Sequence, residues 1–211
     1  MNKKVILAIV AIIIIGVTIF MFLGKKDKED KDKNEEYAVS TLSELFPSKE
    51  TKQTYKDSDG KYEVNVKSVE EKDGVTTIIT EYETKNDGNE TTVKTTYEIT
   101  NEKVVESAEY IEKDSVVSII YPSELIVGVP YVNMTWKSTD GLITNTVVSM
   151  KNNQITIESI RKMDIYENDK KTPTSIDFKE TRVYEKGKGI VLYRSEVVGD
   201  ESSIYEKKLV K

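Results

Sequence analysis

The stretch 91-TTVKTTYEI-99 sets Val93, Thr95, Tyr97 and Ile99 at every second position, with polar or charged residues between them. Successive side chains of a strand point to opposite faces, so this period of two describes a strand with one buried face. The same alternation recurs at Tyr62, Val64 and Val66 and again at Ile176 and Phe178. Between such stretches stand Asp59-Gly60, Asp73-Gly74, Asp87-Gly88 and Asp140-Gly141, dipeptides suited to tight hairpins because glycine accepts positive φ without penalty. Chained hairpins make an antiparallel meander. Roughly eleven strands are expected, too many for a strongly twisted sheet to stay flat. The expected fold is mainly β: an antiparallel meander forming a curved, half-barrel-like sheet or two packed layers. Only Tyr37 to Leu45 reads as helix, with Ala38, Leu42 and Leu45 on one side, placed to cap one end of the core.

Ahead of this region, VILAIVAIIIIGVTIFMFL, residues 5–23, runs nineteen residues without a charge. At 1.5 Å rise per residue it matches the roughly 30 Å of a bilayer core, so one N-terminal transmembrane helix is expected. The run is longer than the apolar region of a cleavable signal and ends Phe22-Leu23-Gly24-Lys25, without a small-x-small cleavage site. No cysteine stands where a lipoprotein would carry its lipid, nor anywhere else. Basic residues lie on both flanks, Lys3 and Lys4 before the run and five lysines between Lys25 and Lys33 after it. Counted alone, they would place the larger domain inside the cell. The tiny basic N-terminus and the acids interleaved with the later lysines favour a signal anchor with the C-terminal domain outside.

Three segments result: 1–24, the short basic N-terminus and anchor; 25–36, a charged linker that cannot bury enough surface to order itself; and 37–211, a single β-rich domain. The first 24 residues carry +2 and the linker −1, so the domain carries −7 to make the net −6. An acidic surface repels phosphate backbones, so no nucleic acid is expected as a partner. Lysine outnumbers arginine 28 to 3, which fits an AT-rich coding bias.

TYKDSDG, Thr54 to Gly60, is echoed by TWKSTDG, Thr135 to Gly141, 81 residues later. Each follows a proline and introduces alternating strands, which suggests two related meanders, about 46–110 and 127–211. Recurrence of S/T-D-G turns by chance would give the same echo.

Phe46-Pro47-Ser48-Lys49-Glu50 leading to Thr54-Tyr55, then Trp136, then Tyr184-Glu185-Lys186-Gly187-Lys188-Gly189-Ile190-Val191, resembles a family of surface lipoproteins of Gram-positive bacteria. Those domains open near F-P-L-K-x-G-x-x-W-x-Y and close with Y-x-x-G-x-G-x-V. This chain departs from the opening, with Thr51 in place of glycine and no tryptophan before Thr54. The resemblance implies a curved antiparallel sheet similar to the open half-barrels of lipoprotein carriers.

With no histidine and no cysteine, Ser-His-Asp and Cys-His catalysis, histidine-ligated zinc or haem, and iron–sulfur clusters are excluded. Neither a P-loop, a dinucleotide fingerprint nor G-x-S-x-G occurs. Asp57-Ser58-Asp59-Gly60 resembles part of a calcium loop but has Tyr55 and Val66 where acids would stand. Glu70 and Glu71 sit by an expected turn and read as solvated charges. No catalytic residue, metal site or cofactor is expected.

Candidate ligand-binding residues are Trp136, Tyr55, Tyr121 and Leu125. Trp136 is the one tryptophan and Tyr55 its counterpart in the first meander; both read more readily as core. Tyr121 and Leu125 belong to SIIYPSELIVGVPYV, Ser118 to Val132, the most apolar part of the domain. It is expected to be a connector packed in the core, with an exposed lip for a ligand or partner as the alternative. The functional expectation is an extracytoplasmic domain held at the cell membrane by residues 5–23. It would act as a cell-envelope binding or interaction module for a polymer, lipid or membrane protein. That reading requires a sizeable apolar cavity lined from several strands. The alternative, a structural or accessory ectodomain contacting other membrane proteins, requires none.

Overall fold

A computed structural model describes residues 38–86, 89–165 and 174–210. The anchor expected at 5–23, the expected linker 25–36 and the turn expected at Asp87-Gly88 lie outside the described residues, among which no helix is long and apolar enough to cross a membrane.

Twelve antiparallel strands make one sheet: β1 (Thr51–Lys56), β2 (Lys61–Lys72), β3 (Val75–Asn86), β4 (Asn89–Ile99), β5 (Lys103–Glu112), β6 (Ser115–Val127), β7 (Thr135–Lys137), β8 (Ile143–Lys151), β9 (Gln154–Ile165), β10 (Thr174–Glu185), β11 (Gly189–Val197) and β12 (Asp200–Leu209). Their order is β6-β5-β4-β3-β2-β1-β12-β11-β10-β9-β8-β7, so two six-stranded meanders join where β1 pairs with β12. Consecutive strands β6 and β7 therefore stand at opposite ends of the sheet. Laid flat, twelve strands would separate those ends by about 53 Å at roughly 4.8 Å per strand. The connector 128–134 is too short for that, reaching at most about 29 Å at 3.3–3.6 Å per residue. The sheet must curl, and it does so into a nearly closed barrel. Across the seam, Thr139 Oγ1 donates to the Glu124 carboxylate at 3.2 Å.

The expected meander is present, as one sheet rather than two packed layers, and its curl goes beyond a half-barrel. The turns are built as the dipeptides require: Asp73 and Gly74 both have positive φ, as do Gly60 and Gly141. Two further hairpins use Lys113-Asp114 and Asn152-Asn153 in the same left-handed conformation.

The helix expected over Tyr37 to Leu45 shrinks to one 3-10 turn, Leu42–Leu45. Pro47 disfavours helical backbone at the residue before it, and Phe46 is extended. Ala38 is exposed, whereas Val39, Leu42, Leu45 and Phe46 are buried. This turn plugs one end of the barrel. Its side chains cluster with Val66, Ile78, Ile99, Val104, Ile126, Val147, Ile155, Ile157 and Tyr184. The Gly187 N–H donates to the Glu44 carbonyl at 2.8 Å, and Lys186 pairs with the Glu44 carboxylate at the same distance, tying the plug to the β10–β11 turn.

The segment Ser118 to Val132 is not a core connector. Most of it is β6, an edge strand whose residues from Ser115 to Ser123 are exposed, Ile120 and Ser123 on the inner face among them, and which becomes buried only at Leu125 and Ile126. Pro122 is tolerated because the edge needs no ladder donor and the pairing with β5 is bulged there.

Candidate functional site: a tyrosine-lined barrel cavity

Above the plug the barrel encloses a cavity of about 960 Å³. Its wall is the inward register of nearly every strand, for example Tyr62, Val64 and Val66 on β2 and Val93, Thr95 and Tyr97 on β4. Alternation that marks a core-facing surface on paper here faces partly core and partly cavity. Seven of the twelve tyrosines line it: Tyr55, Tyr62, Tyr82, Tyr97, Tyr110, Tyr193 and Tyr205.

The rings support one another around the wall. Tyr55 stacks on Tyr62 with centroids 5.9 Å apart, Tyr62 meets Tyr82 at 5.4 Å, and Tyr193 meets Tyr205 edge-on at 6.3 Å. Tyr55 is also fixed by its hydroxyl, which donates to the Ile190 carbonyl at 2.6 Å, and burial pushes its pKa up to about 12. The Tyr205 hydroxyl donates to Asp57 at 3.2 Å.

The wall also carries charge. Along β10 the inward series is Ile176, Phe178, Glu180 and Arg182, followed by Tyr184 in the core. Arg182 donates to Glu180 at 2.7 Å and to Ser159 Oγ at 3.2 Å, and Ser159 in turn donates to Asn145 at 2.6 Å. Glu180's other oxygen accepts from the Tyr193 hydroxyl at 2.6 Å. Tyr193 lies beneath two cations, its centroid 5.6 Å from the Arg182 guanidinium carbon and 5.3 Å from Lys207 Nζ.

Glu106 and Lys207 complete this cluster and differ from the rest of it. Among the described residues neither makes a hydrogen bond or an ion pair, although both line the cavity. Burial raises the Glu106 pKa, with Arg182 and Lys207 opposing and Glu180 reinforcing the rise. Burial likewise lowers that of Lys207, against the pull of Glu106. A carboxylate and an ammonium therefore stand half-buried in a walled space, within each other's electrostatic reach but not in contact.

The four candidate residues divide. Tyr55 and Leu125 line the cavity. Trp136 lies in the hydrophobic core, 9% exposed, with its indole N–H unpartnered among the described residues. Tyr121 stands outside, 80% exposed, while its neighbour Ile120 points in. Sequence reading missed Glu106, Glu180, Arg182 and Lys207. The signal was present on β10: continuing the alternation from Ile176 and Phe178 by two steps reaches Glu180 and Arg182, charges in a core-facing register. Among the described residues no group of acidic side chains is arranged to hold a metal ion. Comparison with protein-family profiles, with curated proteins and with solved structures gives no match, and the site is read from its own geometry.

Proposed function

We propose that this chain is a membrane-anchored, extracytoplasmic binding module that holds an amphipathic envelope component inside its barrel. The observation that carries the reading is the cavity, whose volume lies at the upper end of the range for small-molecule pockets, roughly 300–1,000 Å³. An accessory domain needing only a filled core would have no use for seven inward tyrosines or for charges left unpaired inside, which cost stability. The apolar residues Val64, Ile120, Met163, Ile176 and Phe178 suit a hydrocarbon portion, and the charged cluster suits a polar one. Anchoring by residues 5–23 would keep the barrel within reach of lipids leaving or entering the bilayer. The resemblance to Gram-positive surface lipoproteins agrees with this placement, and no catalytic role is assigned.

The test is native mass spectrometry of the full chain extracted from its own membrane. A bound adduct of lipid mass is expected, and Ala108→Trp, which fills the cavity from β5, should abolish it. Absence of any adduct, or one unaffected by Ala108→Trp, would overturn the reading. Protease added to intact cells should digest the domain; resistance until lysis would place it inside.

A second reading, an accessory ectodomain that contacts another membrane protein, draws on the exposed edge of β6, where Val116, Val117, Ile119 and Tyr121 are each more than half exposed.

A further inference from the structure

The cavity's charged cluster carries a statement about which polar end it receives, resting on the binding reading above. The lining carries the carboxylates Glu106 and Glu180 and four cations, of which Arg161 pairs with Asp140 at 3.8 Å and Lys188 pairs with Glu185; the remaining two, Arg182 and Lys207, balance the two carboxylates. Glu180 accepts at both oxygens, from Arg182 and from the Tyr193 hydroxyl, and its charge is matched by Arg182. Arg182 has committed one N–H to Glu180 and one to Ser159, leaving further donors of its five. Lys207 has all three N–H donors uncommitted to any hydrogen bond, with its charge over the Tyr193 ring. Glu106 has its whole acceptor capacity free among the described residues.

A purely anionic end would gain Arg182 and Lys207 but would meet the Glu106 carboxylate. A purely cationic end would gain Glu106 but would meet the two cations. Each would leave one desolvated charge unpaired, which is the costly outcome in a partly dry site. An end carrying both signs satisfies all three groups together. We infer that the barrel selects zwitterionic amphiphiles: a single hydrocarbon chain whose head bears an oxyanion and a primary ammonium a few bonds apart. The oxyanion is received by Lys207 and the spare donors of Arg182, the ammonium by Glu106. The aromatic wall of Tyr62, Tyr82 and Phe178 receives the chain.

The head chemistry is shared by aminoalkyl phosphodiester lipids and by singly acylated diamino acids, which keep one ammonium and the carboxylate, so both belong among the probes. The full chain is held in amphipol and dialysed to equilibrium against radiolabelled probes of equal chain length. These are lysophosphatidylethanolamine, an acyl-lysine, lysophosphatidylglycerol, which keeps the phosphate but lacks the ammonium, and an alkylamine, which lacks the anion. At least one zwitterion should bind about tenfold or more tighter than both single-charge probes, as loss of a charge-assisted hydrogen bond implies. Which zwitterion leads separates the two sources. Glu106→Gln should bring lysophosphatidylethanolamine and lysophosphatidylglycerol to within about twofold of each other. Lys207→Met should weaken both about tenfold. Equal binding of all four probes to the unsubstituted chain would overturn the head-group inference and leave the cavity reading standing; no binding of any would overturn both. Because the comparison of probes is made first on the unsubstituted chain, failure of a variant to fold does not remove the test.

Discussion

At Tyr184 a fully buried hydroxyl has no hydrogen-bond partner among the described residues, and burial raises its pKa well above the ordinary value of 10.0. A buried hydroxyl without a partner costs about 1–3 kcal/mol, and its ring keeps the core filled with or without it. Tyr184→Phe should therefore stabilise the domain by about that amount, each kcal/mol reading as roughly 2–4 °C in Tm. A lower Tm in a thermal melt would show that the hydroxyl has a partner. Glu106 adds a pH-dependent case. Its carboxyl pKa is raised above 4.5, so in the window above 4.5 the folded state holds a proton that the unfolded chain releases. Stability contributed there is present below 4.5 and is lost as pH rises through the folded pKa. Glu106→Gln does not titrate. Its Tm should match the unsubstituted protein near pH 4 and exceed it by a few degrees at pH 7, and a gap that stays constant with pH would sink the assignment.

Among the elements, β6 is the one whose surroundings the sequence hid. Its run of valine and isoleucine reads as interior, and Leu125 and Ile126 are interior, but Val116 to Tyr121 extend an edge that no strand covers. Hydrophobicity records what a strand would gain by burial; whether a neighbour supplies it depends on strand order, which is a long-range fact. The local signals fared better. Alternation over Val93 to Ile99 and the Asp-Gly turns encode pairing between chain neighbours, and those hairpins stand where they were expected. On β4 and β10 the inward register was legible, but whether it met core or open space depended on how far the sheet curled, and the curl is set by the short connector 128–134 acting on twelve strands. The edge of β6 yields its own prediction. Ile119 faces outward and pairs across the ladder with Glu109, so Ile119→Lys places opposite charges side by side while removing an exposed apolar residue. Soluble yield should rise and Tm should change by no more than about 0.5 kcal/mol equivalent. Unchanged aggregation in light scattering would show that the β6 edge is not its source.

For the whole barrel, the weak places are where the two meanders meet. Within the second meander β9 and β10 pair without interruption from Thr174↔Ile165 to Glu185↔Gln154. Between the meanders, β1 and β12 pair only at Tyr55↔Leu209 and Lys56↔Lys208, with the Val210 N–H reaching the Thr54 carbonyl at 2.8 Å. Sub-global opening should follow that division, because cooperative units tend to coincide with contiguous ladders. Hydrogen exchange of the empty protein should show amides of β1 and β12 at their junction exchanging well before those of β9 and β10. The cavity draws its wall from both meanders, Tyr62 and Glu106 from one and Arg182, Tyr193 and Lys207 from the other. An amphiphile held in the cavity as proposed would bridge the junction and stabilise the closed barrel by mass action, about 2.7 kcal/mol at a hundredfold excess over its Kd. Protection at the β1–β12 junction should rise by about that amount, because local opening there releases the ligand, and the slowest amides of β9 and β10 should rise by no more, because global unfolding releases the same single ligand. No rise at the junction would mean that the ligand does not span the two halves, and equal exchange of the two sets in the empty protein would mean that the barrel opens as one unit.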